Sequence, residues 1–312
     1  MKIKFHKFIA TLLLIIYNSI SQATPITNLI VFGDSLSDSG NLFIAAGQPA
    51  HPYYQGKFTN GSNYAENLNQ YLALAPLTPS LAGGNNYAWA GARAGMDVPM
   101  GNNFIPNVES QANQYLTSLA PNADLSQTLH LFFIGGNDIA DAIDYGMDAT
   151  TATGFLQNSA QNVVNAIIAL DNISSTQFLL PTVPDLSITP RFLNQQIAQD
   201  YTNIYNQILN NLVQSQLPNL DILLFDTSNF INDITDDFSN STSACLTQNS
   251  LCSNPDEYLF FDDFHPSRVT HQLVAEKLFA TVDIPPTWIL MLLMGVGLLR
   301  NNYCQRKNKS TP

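Results

Sequence analysis

The sequence predicts an α/β fold in which helices cover both faces of a parallel β-sheet. Short apolar runs of strand length alternate with longer, helix-compatible stretches along the body of the chain. This alternation is typical of parallel sheets, because neighbouring parallel strands need a long crossover connection, usually a helix. An apolar fraction of 45% is sufficient for a large core and excludes general disorder. We find no internal repeat and no linker between domains.

Five strands and five helices are predicted in this body. The strands are short, rich in β-branched and aromatic residues, and bounded by glycine or polar residues. In chain order they cover residues 29–32, 86–90, 129–134, 177–180 and 221–225. The predicted helices cover residues 64–71, 109–119, 155–170, 192–217 and 268–279, and the longest carries an apolar stripe on one face. Segments 53–61 and 231–258, rich in Asn, Ser, Asp and Gly, are predicted to be surface loops.

Both ends of the chain have the composition of targeting segments. Three lysines precede an apolar run, and small residues suit cleavage after Ala23, so residues 1–23 are predicted to be a secretory signal peptide. Residues 284–312 contain a short apolar run followed by basic residues, which indicates a sorting or anchoring signal. The alternatives are an uncleaved anchor and a buried terminal helix. We therefore expect an exported protein with one domain over residues 24–283.

The charge of the predicted domain is strongly negative. Seven of the 12 basic residues lie in the two terminal segments, whereas all 24 acidic residues lie between them. Five basic residues against 24 acidic ones give the domain a net charge of −19. Such a surface repels nucleic acid and anionic lipid headgroups, and it is compatible with neutral or zwitterionic substrates.

Two of the three cysteines are close together in the sequence. Cys245 and Cys252 enclose a short polar loop, and in an exported chain this spacing predicts a disulfide. Zinc binding is disfavoured, because no second pair of Cys or His residues with metal-ligand spacing lies nearby. Cys304 has no evident partner.

Glycine-rich or polar breaks end three of the predicted strands. Ser35 follows the first, Gly91 the second and Asn137 the third. Ligands of such sheets bind outside the carboxyl ends of the strands, so we expect these residues to lie at one edge. A fourth piece, Asp262 to His265, comes just before the last helix.

Together these residues have the chemistry of a serine hydrolase. Ser35 is the predicted nucleophile, and His265 is the predicted base because a neutral imidazole can accept its proton. Asp262 is predicted to orient the imidazole, with Asp263 as the local competitor. The Ser35 N–H, the Gly91 N–H and the Asn137 side-chain amide are the predicted oxyanion donors.

Each of these residues also has a structural explanation. The Ser35 segment can be an ordinary turn, His265 a structural histidine, Asn137 a helix cap and Gly91 a tight turn. His51, His130 and His271 have no flanking acid and are weaker candidates for a base. The G-x-S-x-G motif of α/β-hydrolases is absent from the sequence.

The segment Gly33-Asp34-Ser35-Leu36, followed by Ser37-Asp38-Ser39-Gly40-Asn41, resembles block I of the GDSL lipase/esterase family, also called SGNH hydrolases. The segments around Gly91, Asn137 and His265 resemble blocks II, III and V of that family in the same order. This resemblance covers residues 27–281. It implies a flavodoxin-like three-layer α/β/α sandwich, and ester hydrolysis by Ser35, Asp262 and His265 without a metal or other cofactor. In block II, Trp89-Ala90-Gly91 departs from the common Gly-Gly.

The region from Cys245 to Asp262 is similar to bacterial secreted members of this family, which include phospholipases, lysophospholipases and glycerophospholipid:cholesterol acyltransferases. The tail resembles a degenerate PEP-CTERM sorting signal, in which Ile284-Pro285-Pro286 replaces Pro-Glu-Pro. We expect a bacterial serine esterase or lipase in the periplasm, at the cell surface or secreted, with acyl esters such as lysophospholipids as substrates. Membrane association would come through the C-terminal segment. The alternatives are an acyltransferase, a carbohydrate acetyl esterase and a catalytically inactive surface-binding protein.

Overall fold

A four-stranded parallel sheet lies at the centre of the computed structural model, which describes residues 25–173 and 177–282. Its strands lie in the order β1-β4-β5-β6, where β1 is Asn28–Gly33, β4 Thr128–Phe133, β5 Gln177–Pro181 and β6 Asp221–Phe225. Each pair is parallel, as the strand–helix alternation predicted. The predicted signal peptide, the C-terminal segment 284–312 and Cys304 lie outside the described residues.

The predicted strand 86–90 lies along the free edge of β1 without forming a complete ladder. The Val31 N–H donates to the Asn85 carbonyl at 3.1 Å, and the Val31 carbonyl accepts from the Tyr87 N–H at 2.8 Å. The Gly33 carbonyl accepts from the Trp89 N–H at 3.1 Å. If the segment 86–90 is counted as the second strand in chain order, the spatial order of the five strands is 2-1-3-4-5, as in flavodoxin-like folds.

Helices cover both faces of the sheet. The described helices are α1 Asn41–Ala46, α2 Tyr64–Tyr71, α3 Val108–Ser118, α4 Gly136–Asp144, α5 Ala149–Asp171, α6 Gln196–Gln216, α7 Thr227–Asp233 and α8 Arg268–Thr281. Helices α3, α5 and α6 pack on the face that carries Ile30, Phe32 and Phe178. Helices α2 and α8 pack together on the opposite face, where the Tyr64 ring contacts Phe133. Alternating side chains of one strand therefore enter two separate core layers.

Two small strand pairs lie outside the central sheet. Strands β2, Val98–Met100, and β3, Asn103–Ile105, form an antiparallel hairpin. Strands β7, Asn240–Ala244, and β8, Tyr258–Phe260, form a parallel pair. The second pair corrects the prediction of a surface loop over residues 231–258, and β8 leads directly into the segment that carries Asp262 and His265.

Two of the predicted helix starts are wrong for local reasons. Helix α6 begins at Gln196, four residues later than predicted, because Asn194 has a left-handed φ of 60° that interrupts the helix. Helix α5 begins at Ala149, earlier than predicted, because the Asp148 side chain accepts the Thr151 N–H and caps it. Within the described ranges, no helix is long and apolar enough to span a membrane.

The prediction that residues 53–61 form a surface loop is also wrong in part, because several of these residues are buried. Thr59 is only 1% exposed, and its hydroxyl donates to the Pro266 carbonyl at 3.0 Å. Lys57 is 5% exposed and forms an ion pair with Glu66 at 3.1 Å. The loop is therefore packed against the segment that carries His265.

Candidate active site

Ser35 lies in a tight turn immediately after β1. The Asp34 carboxylate accepts the Leu36 N–H at 3.0 Å, and the Asp34 carbonyl accepts the N–H groups of Ser37 and Asp38 at 3.1 and 2.9 Å. These bonds reverse the chain within four residues and hold Ser35 at the carboxyl edge of the sheet. Burial raises the pKa of Asp34 to about 7, although the Leu36 N–H and His265 oppose the shift.

The last residue of β1 is held by the buried side chain of Gln111. The Gly33 N–H donates to the Gln111 amide oxygen at 2.9 Å, and the Gln111 amide nitrogen donates to the Gly33 carbonyl at 2.9 Å. A Cβ atom at position 33 would lie 2.5 Å from the Phe133 carbonyl oxygen, so only glycine fits. The end of β1, just before Ser35, is therefore held by Gln111 on one side and packed closely against Phe133 on the other.

The buried Asp38 carboxylate connects the Ser35 turn to the segment before Gly91. It accepts four backbone N–H groups, from Gly40, Asn41, Leu42 and Ala90, at 2.6–3.1 Å. Burial raises the pKa of Asp38, and these hydrogen bonds lower it in part. Because one carboxylate joins residues 40–42 to residue 90, the turn and the second segment have a fixed relative position.

Ser35, His265 and Asp262 form a continuous chain of hydrogen bonds. The Ser35 Oγ lies 2.8 Å from His265 Nε2, and His265 Nδ1 lies 2.8 Å from Asp262 Oδ2. Asp262 Oδ1 also accepts the N–H groups of Phe264 and His265 at 2.8 and 2.6 Å. Asp262 and not Asp263 therefore contacts the imidazole, because the short turn directs the first carboxylate inward.

Asp262 and His265, the two residues of this hydrogen-bonded triad whose pKa is shifted, stabilise each other's charged form. Burial alone would raise the pKa of Asp262, but the His265 charge and the hydrogen bonds from His265 and Phe264 bring it below the ordinary value. Burial alone would lower the pKa of His265, but the charge and hydrogen bond of Asp262 raise it above 6.5. The Asp262 carboxylate also favours the tautomer with a proton on Nδ1, which leaves Nε2 free to accept from Ser35.

Two aromatic residues of the loop 53–61 complete the surroundings of this pair. The Tyr53 hydroxyl donates to Asp262 Oδ2 at 2.8 Å. The Phe58 ring lies 4.8 Å from the His265 ring, between centroids. Neither residue was predicted from the sequence, where the only available signal was the aromatic content of a segment interpreted as a surface loop.

Asn137 lies close to Gly91, because its side chain is hydrogen-bonded to Ala92, the residue that follows Gly91. The Asn137 side-chain amide donates to the Ala92 carbonyl at 2.9 Å, which leaves its second N–H available. Gly91 has φ +80°, a conformation that favours glycine. The N–H groups of Ser35 and Gly91 donate to no other described residue. Asn137 is not the helix cap, because Gly135 holds that position.

Three further side chains hold the segment 91–95 against helix α4. The Arg93 guanidinium binds both oxygens of Asp141 at 2.8 Å and donates to the Gly91 carbonyl at 2.6 Å. The Asp138 carboxylate accepts the N–H groups of Ala94 and Gly95 at 2.8 and 3.0 Å. Arg93, Asp138 and Asp141 were not predicted as site residues, because the contacts between segment 91–95 and α4 join residues more than 40 positions apart.

An apolar cavity of about 50 Å³ adjoins Ser35 and His265. Its wall contains Asp34 on the polar side, and most of its lining is aliphatic or aromatic: Val183, Leu186, Ile188, Ile231, Phe264 and Val274. The cavity therefore offers an apolar environment next to the serine hydroxyl.

The other described histidines do not contact Ser35. Burial lowers the pKa of His130 and of His271 to about 3, so both are neutral at physiological pH. His271 Nδ1 accepts the Tyr64 N–H at 3.2 Å, which is a structural contact. His51 is exposed. No group of three or more Asp, Glu, His or Cys residues suited to a metal ion occurs within residues 25–173 and 177–282.

The two clustered cysteines lie close to the strand that leads to Asp262. Their sulfur atoms are 2.07 Å apart, the distance of a disulfide bond. The Cys245 N–H donates to the Phe260 carbonyl at 3.3 Å, and the Leu246 N–H donates to the Phe261 carbonyl. The cysteine loop is therefore attached to the residues just before Asp262.

The model of the GDSL-like Lipase/Acylhydrolase family matches residues 29–278, and the chain belongs to this family. The match contains Ser35, Gly91, Asn137, Asp262 and His265. The family assignment made from the sequence blocks is confirmed.

Several curated proteins are similar to this chain. It is 33% identical over 183 residues to Lipase 1 of Photorhabdus luminescens, which covers 56% of this chain and 25% of that protein. It is 28% identical to the Thermolabile hemolysin of Vibrio parahaemolyticus, covering 82% of this chain and 64% of that protein. It is 24% identical to the Phosphatidylcholine-sterol acyltransferase of Aeromonas hydrophila, covering 64% and 58%. The chain thus spans less than two thirds of each of these relatives.

A solved structure shares the fold. A catalytic mutant of an acetylxylan esterase from Geobacillus stearothermophilus matches with a TM-score of 0.51 and 14% identity, over 84% of this chain and 97% of that chain. Together with the observed strand order, this likeness confirms the predicted three-layer α/β/α fold.

Proposed function

We propose that this protein is a serine esterase or lipase that hydrolyses acyl esters through an acyl-enzyme on Ser35. The observation that carries the proposal is the hydrogen-bonded chain from Ser35 Oγ through His265 to Asp262, with contacts of 2.8 Å at each step. A serine hydroxyl is a weak nucleophile until a base removes its proton, and this chain supplies an oriented base. Membership of a lipase and acylhydrolase family supports the same chemistry.

In the proposed acylation step, Ser35 Oγ attacks the ester carbonyl carbon while His265 Nε2 takes the hydroxyl proton. The Ser35 N–H, the Gly91 N–H and the Asn137 side-chain amide donate to the developing oxyanion. Collapse of the tetrahedral intermediate breaks the ester C–O bond, and His265 gives its proton to the leaving alcohol oxygen. Asp262 stays ionised throughout and stabilises the imidazolium that forms in between.

In the proposed deacylation step, a water molecule replaces the alcohol. His265 Nε2 takes a proton from this water as it attacks the acyl carbonyl, and the same donors stabilise the second oxyanion. The proton then passes to Ser35 Oγ as the acyl–serine bond breaks. The products are a carboxylic acid and the free enzyme, and no redox step or metal enters the balance.

We propose lipid acyl esters, including lysophospholipids, as the substrate class. The apolar cavity of about 50 Å³ beside Ser35 and His265 offers an apolar environment for the few acyl carbons next to the ester. The net charge of −19 over residues 24–283 is compatible with a zwitterionic headgroup and opposes an anionic one. The names of the relatives, a lipase and a phosphatidylcholine-sterol acyltransferase, support a lipid substrate.

The test is an assay of the purified protein against p-nitrophenyl esters of graded acyl length and against lysophosphatidylcholine. We expect turnover of these esters, labelling of Ser35 by a fluorophosphonate probe, and loss of both in the Ser35→Ala variant. Ser126→Ala, which changes an exposed serine at the opposite edge of the sheet, is the control and keeps the activity. Turnover by Ser35→Ala at the wild-type rate would remove Ser35 from the mechanism.

A second candidate function is acyl transfer to an alcohol, favoured by the similarity to a phosphatidylcholine-sterol acyltransferase over 212 residues. Hydrolysis and transfer share the same acyl-enzyme and differ only in whether water or an alcohol attacks it. The two are separated by product analysis: with phosphatidylcholine and cholesterol as substrates, transfer gives a cholesteryl ester and hydrolysis gives a free fatty acid.

We further propose that residues 1–23 are removed on export, that residues 24–283 form the hydrolase domain, and that residues 284–312 sort or anchor it. The composition of both terminal segments supports this proposal. The bonding distance between Cys245 and Cys252 is compatible with an oxidising compartment outside the cytosol. Mass spectrometry of the protein recovered from membrane, periplasmic and medium fractions tests it. A mature N-terminus at Thr24 and a Cys245–Cys252 linkage are expected.

A further inference from the structure

One group of exposed apolar side chains lies on the His265 side of the candidate site. Phe43 and Ile44 of α1 are 44% and 52% exposed, and Tyr54 is 41% exposed. Phe43 packs on Gly56, where an added Cβ would lie 2.4 Å from the Phe43 side chain. Gly56 belongs to the loop 53–61, whose Tyr53 and Phe58 contact Asp262 and His265. Through the loop 53–61, this group is therefore linked to the acid–base residues.

A second group lies on the Gly91 side of the site. Met96, Phe104 and Tyr145 are 55%, 60% and 74% exposed. Phe104 precedes Ile105, whose Cδ1 lies 3.3 Å from the position of a Cβ on Gly91. Met96 follows the segment 91–95, and Tyr145 directly follows α4, the helix that holds this segment. The second group is therefore attached to the predicted oxyanion donors.

We name these six residues the apolar rim: Phe43, Ile44, Tyr54, Met96, Phe104 and Tyr145. Twelve large hydrophobic side chains are exposed in the described part of the chain, and half of them belong to the apolar rim. Single exposed apolar residues are normal on protein surfaces, but their concentration around one site marks an interaction surface.

The charges near the apolar rim indicate what it contacts. Its basic neighbours each pair with a carboxylate: Lys57 with Glu66, Arg93 with Asp141, and Arg191 with Asp144. Among the residues that the structure describes, no unpaired cation next to the apolar rim is thus available for an anionic headgroup. The domain carries a net charge of −19. Aromatic side chains with apolar bodies and a polar tip, such as Tyr54 and Tyr145, suit the boundary between lipid headgroups and acyl chains.

We propose that the apolar rim docks this protein onto a neutral or zwitterionic lipid surface and thereby presents Ser35 to ester bonds in that surface. This inference rests on the proposed ester hydrolase function and adds the physical state of its substrate. Because one group adjoins the loop 53–61 and the other adjoins the Gly91 segment, we expect both to enter the lipid when the site faces it. The ester and the acyl carbons next to it then reach Ser35 and the apolar cavity without crossing water, while the rest of the acyl chain stays in the lipid.

The first test places a fluorescent reporter in the apolar rim of the full chain. Phe43→Trp and Phe104→Trp are made in a Ser35→Ala, Trp288→Phe background, where the other native tryptophan, Trp89, is buried. They are mixed with phosphatidylcholine vesicles that carry brominated acyl chains. Ile173→Trp, at an exposed position just before β5 and thus at the opposite edge of the sheet, is the matched control. We expect quenching at positions 43 and 104 and none at 173. Residues 284–312 are present in all three, so equal quenching at all positions would overturn the proposal.

The second test measures activity in the two physical states of the substrate. Phe104→Asp and Ile44→Asp are compared with Ile173→Asp on phosphatidylcholine vesicles and on a dissolved p-nitrophenyl ester. We expect the ratio of vesicle to dissolved turnover to fall about tenfold or more in the first two, since a charge opposes insertion. An unchanged ratio would refute docking by the apolar rim. Absence of turnover on every ester by the wild type would instead refute the proposed hydrolase function.

Discussion

The acid–base arm of the candidate site, residues 262–265, and the oxyanion arm, residues 91–95, are held in place in different ways. In the acid–base arm, Asp262 accepts the N–H groups of the second and third residues that follow it, and the Phe261 N–H donates to the His265 carbonyl. In the oxyanion arm, the backbone is held by side chains of α4, which lie 43–48 residues away. One arm is organised by its own sequence, and the other depends on a distant helix.

This difference bears on how each arm responds to substitution. The hydrogen bonds within residues 261–265 set the backbone of the acid–base arm, and Tyr53 and the cysteine loop add contacts from outside it. Changes elsewhere therefore displace this backbone less than they displace the oxyanion arm. The oxyanion arm is held by Asn137, Asp138 and Asp141 together, so its geometry can be disturbed from several positions that never contact substrate. We therefore expect large effects confined to few residues in the first arm, and graded effects spread over many in the second.

The largest effect is expected from His265→Ala, which removes the base of the acid–base arm. The value of kcat/KM on a p-nitrophenyl ester should fall by about 10⁵-fold or more, as for other triad histidines that act with their serine. The control is His51→Ala, which changes an exposed histidine and should keep the wild-type rate. A drop of less than tenfold in His265→Ala would exclude His265 as the base.

The next effect is expected from Asp262→Asn, on the order of 10⁴-fold in kcat, because an amide would favour the wrong imidazole tautomer. Only neutral His265 can accept a proton, and its pKa is raised above 6.5 by Asp262. Wild-type kcat/KM should therefore rise with pH through a midpoint above 6.5, and the midpoint of Asp262→Asn should be lower.

Asp263→Asn is the control for this pH profile. The Asp263 charge also raises the pKa of His265, but it contributes less than Asp262 does. A small downward shift with most of kcat retained is expected. A larger loss in Asp263→Asn than in Asp262→Asn would reverse the two assignments.

An intermediate effect is expected from Asn137→Ala in the oxyanion arm. Loss of one oxyanion donor should lower kcat by about 10²–10³-fold with little change in KM, since the donor acts mainly on the transition state. Asn165→Ala, at an exposed position on α5, is the control. If KM rises while kcat stays constant, Asn137 positions the ground state instead.

A smaller effect is expected from Arg93→Met, which removes the contacts to Gly91 and Asp141. Displacement of the Gly91 peptide should lower kcat by about 10–100-fold while the pH midpoint stays unchanged, because the acid–base arm is intact. Asp141→Asn should act in the same direction but more weakly, and the two effects should not add fully, since both substitutions break the Arg93–Asp141 ion pair.

The control for Arg93→Met is Arg268→Met, which removes an exposed ion pair with Asp256. It should leave kcat within a factor of about two, as exposed pairs contribute little. An Arg93→Met enzyme with wild-type kcat and only a lower melting temperature would show that Arg93 has a purely structural role.

The smallest effect is expected from Cys252→Ser, at the border of the acid–base arm. Loss of so short a cross-link should lower the free energy of unfolding by about 2–3 kcal/mol at most, measured by urea denaturation. Activity should decline at lower urea concentrations than the global transition, because the cysteine loop is attached to the residues before Asp262. Free thiols at both positions in active exported enzyme would contradict the pairing.

The same difference explains what the sequence could predict. The strands and the order of the polar breaks were readable, because β-branched runs and glycine-rich ends are local signals. Ser35, Asp262 and His265 were predicted together and lie within hydrogen-bond distance, since two of them are three residues apart and the third ends a strand. Their catalytic roles remain predictions.

The contacts of the oxyanion arm were not readable, because they depend on tertiary packing. Arg93 has no local partner in the sequence, and nothing around residue 93 identifies Asp141. Tyr53 and Phe58 were missed for the opposite reason: their segment has the polar composition of a surface loop but packs on His265. The start of α6 was misplaced because the left-handed φ of Asn194 is a property of one residue within an otherwise continuous apolar stripe.

The two hydrogen bonds between the Gln111 side chain and the Gly33 backbone limit where residues can be inserted into or deleted from this chain. Because side chains alternate along a strand, one inserted or deleted residue within β1 would put a side chain in place of Gly33 and turn the serine away. That side chain would clash with the Phe133 carbonyl oxygen. The Gln111 side-chain amide would lose both of its hydrogen bonds to the backbone of Gly33. The spacing from Val31 to Ser35 therefore tolerates no insertion or deletion, whereas the turn of the β2–β3 hairpin is exposed and open to both.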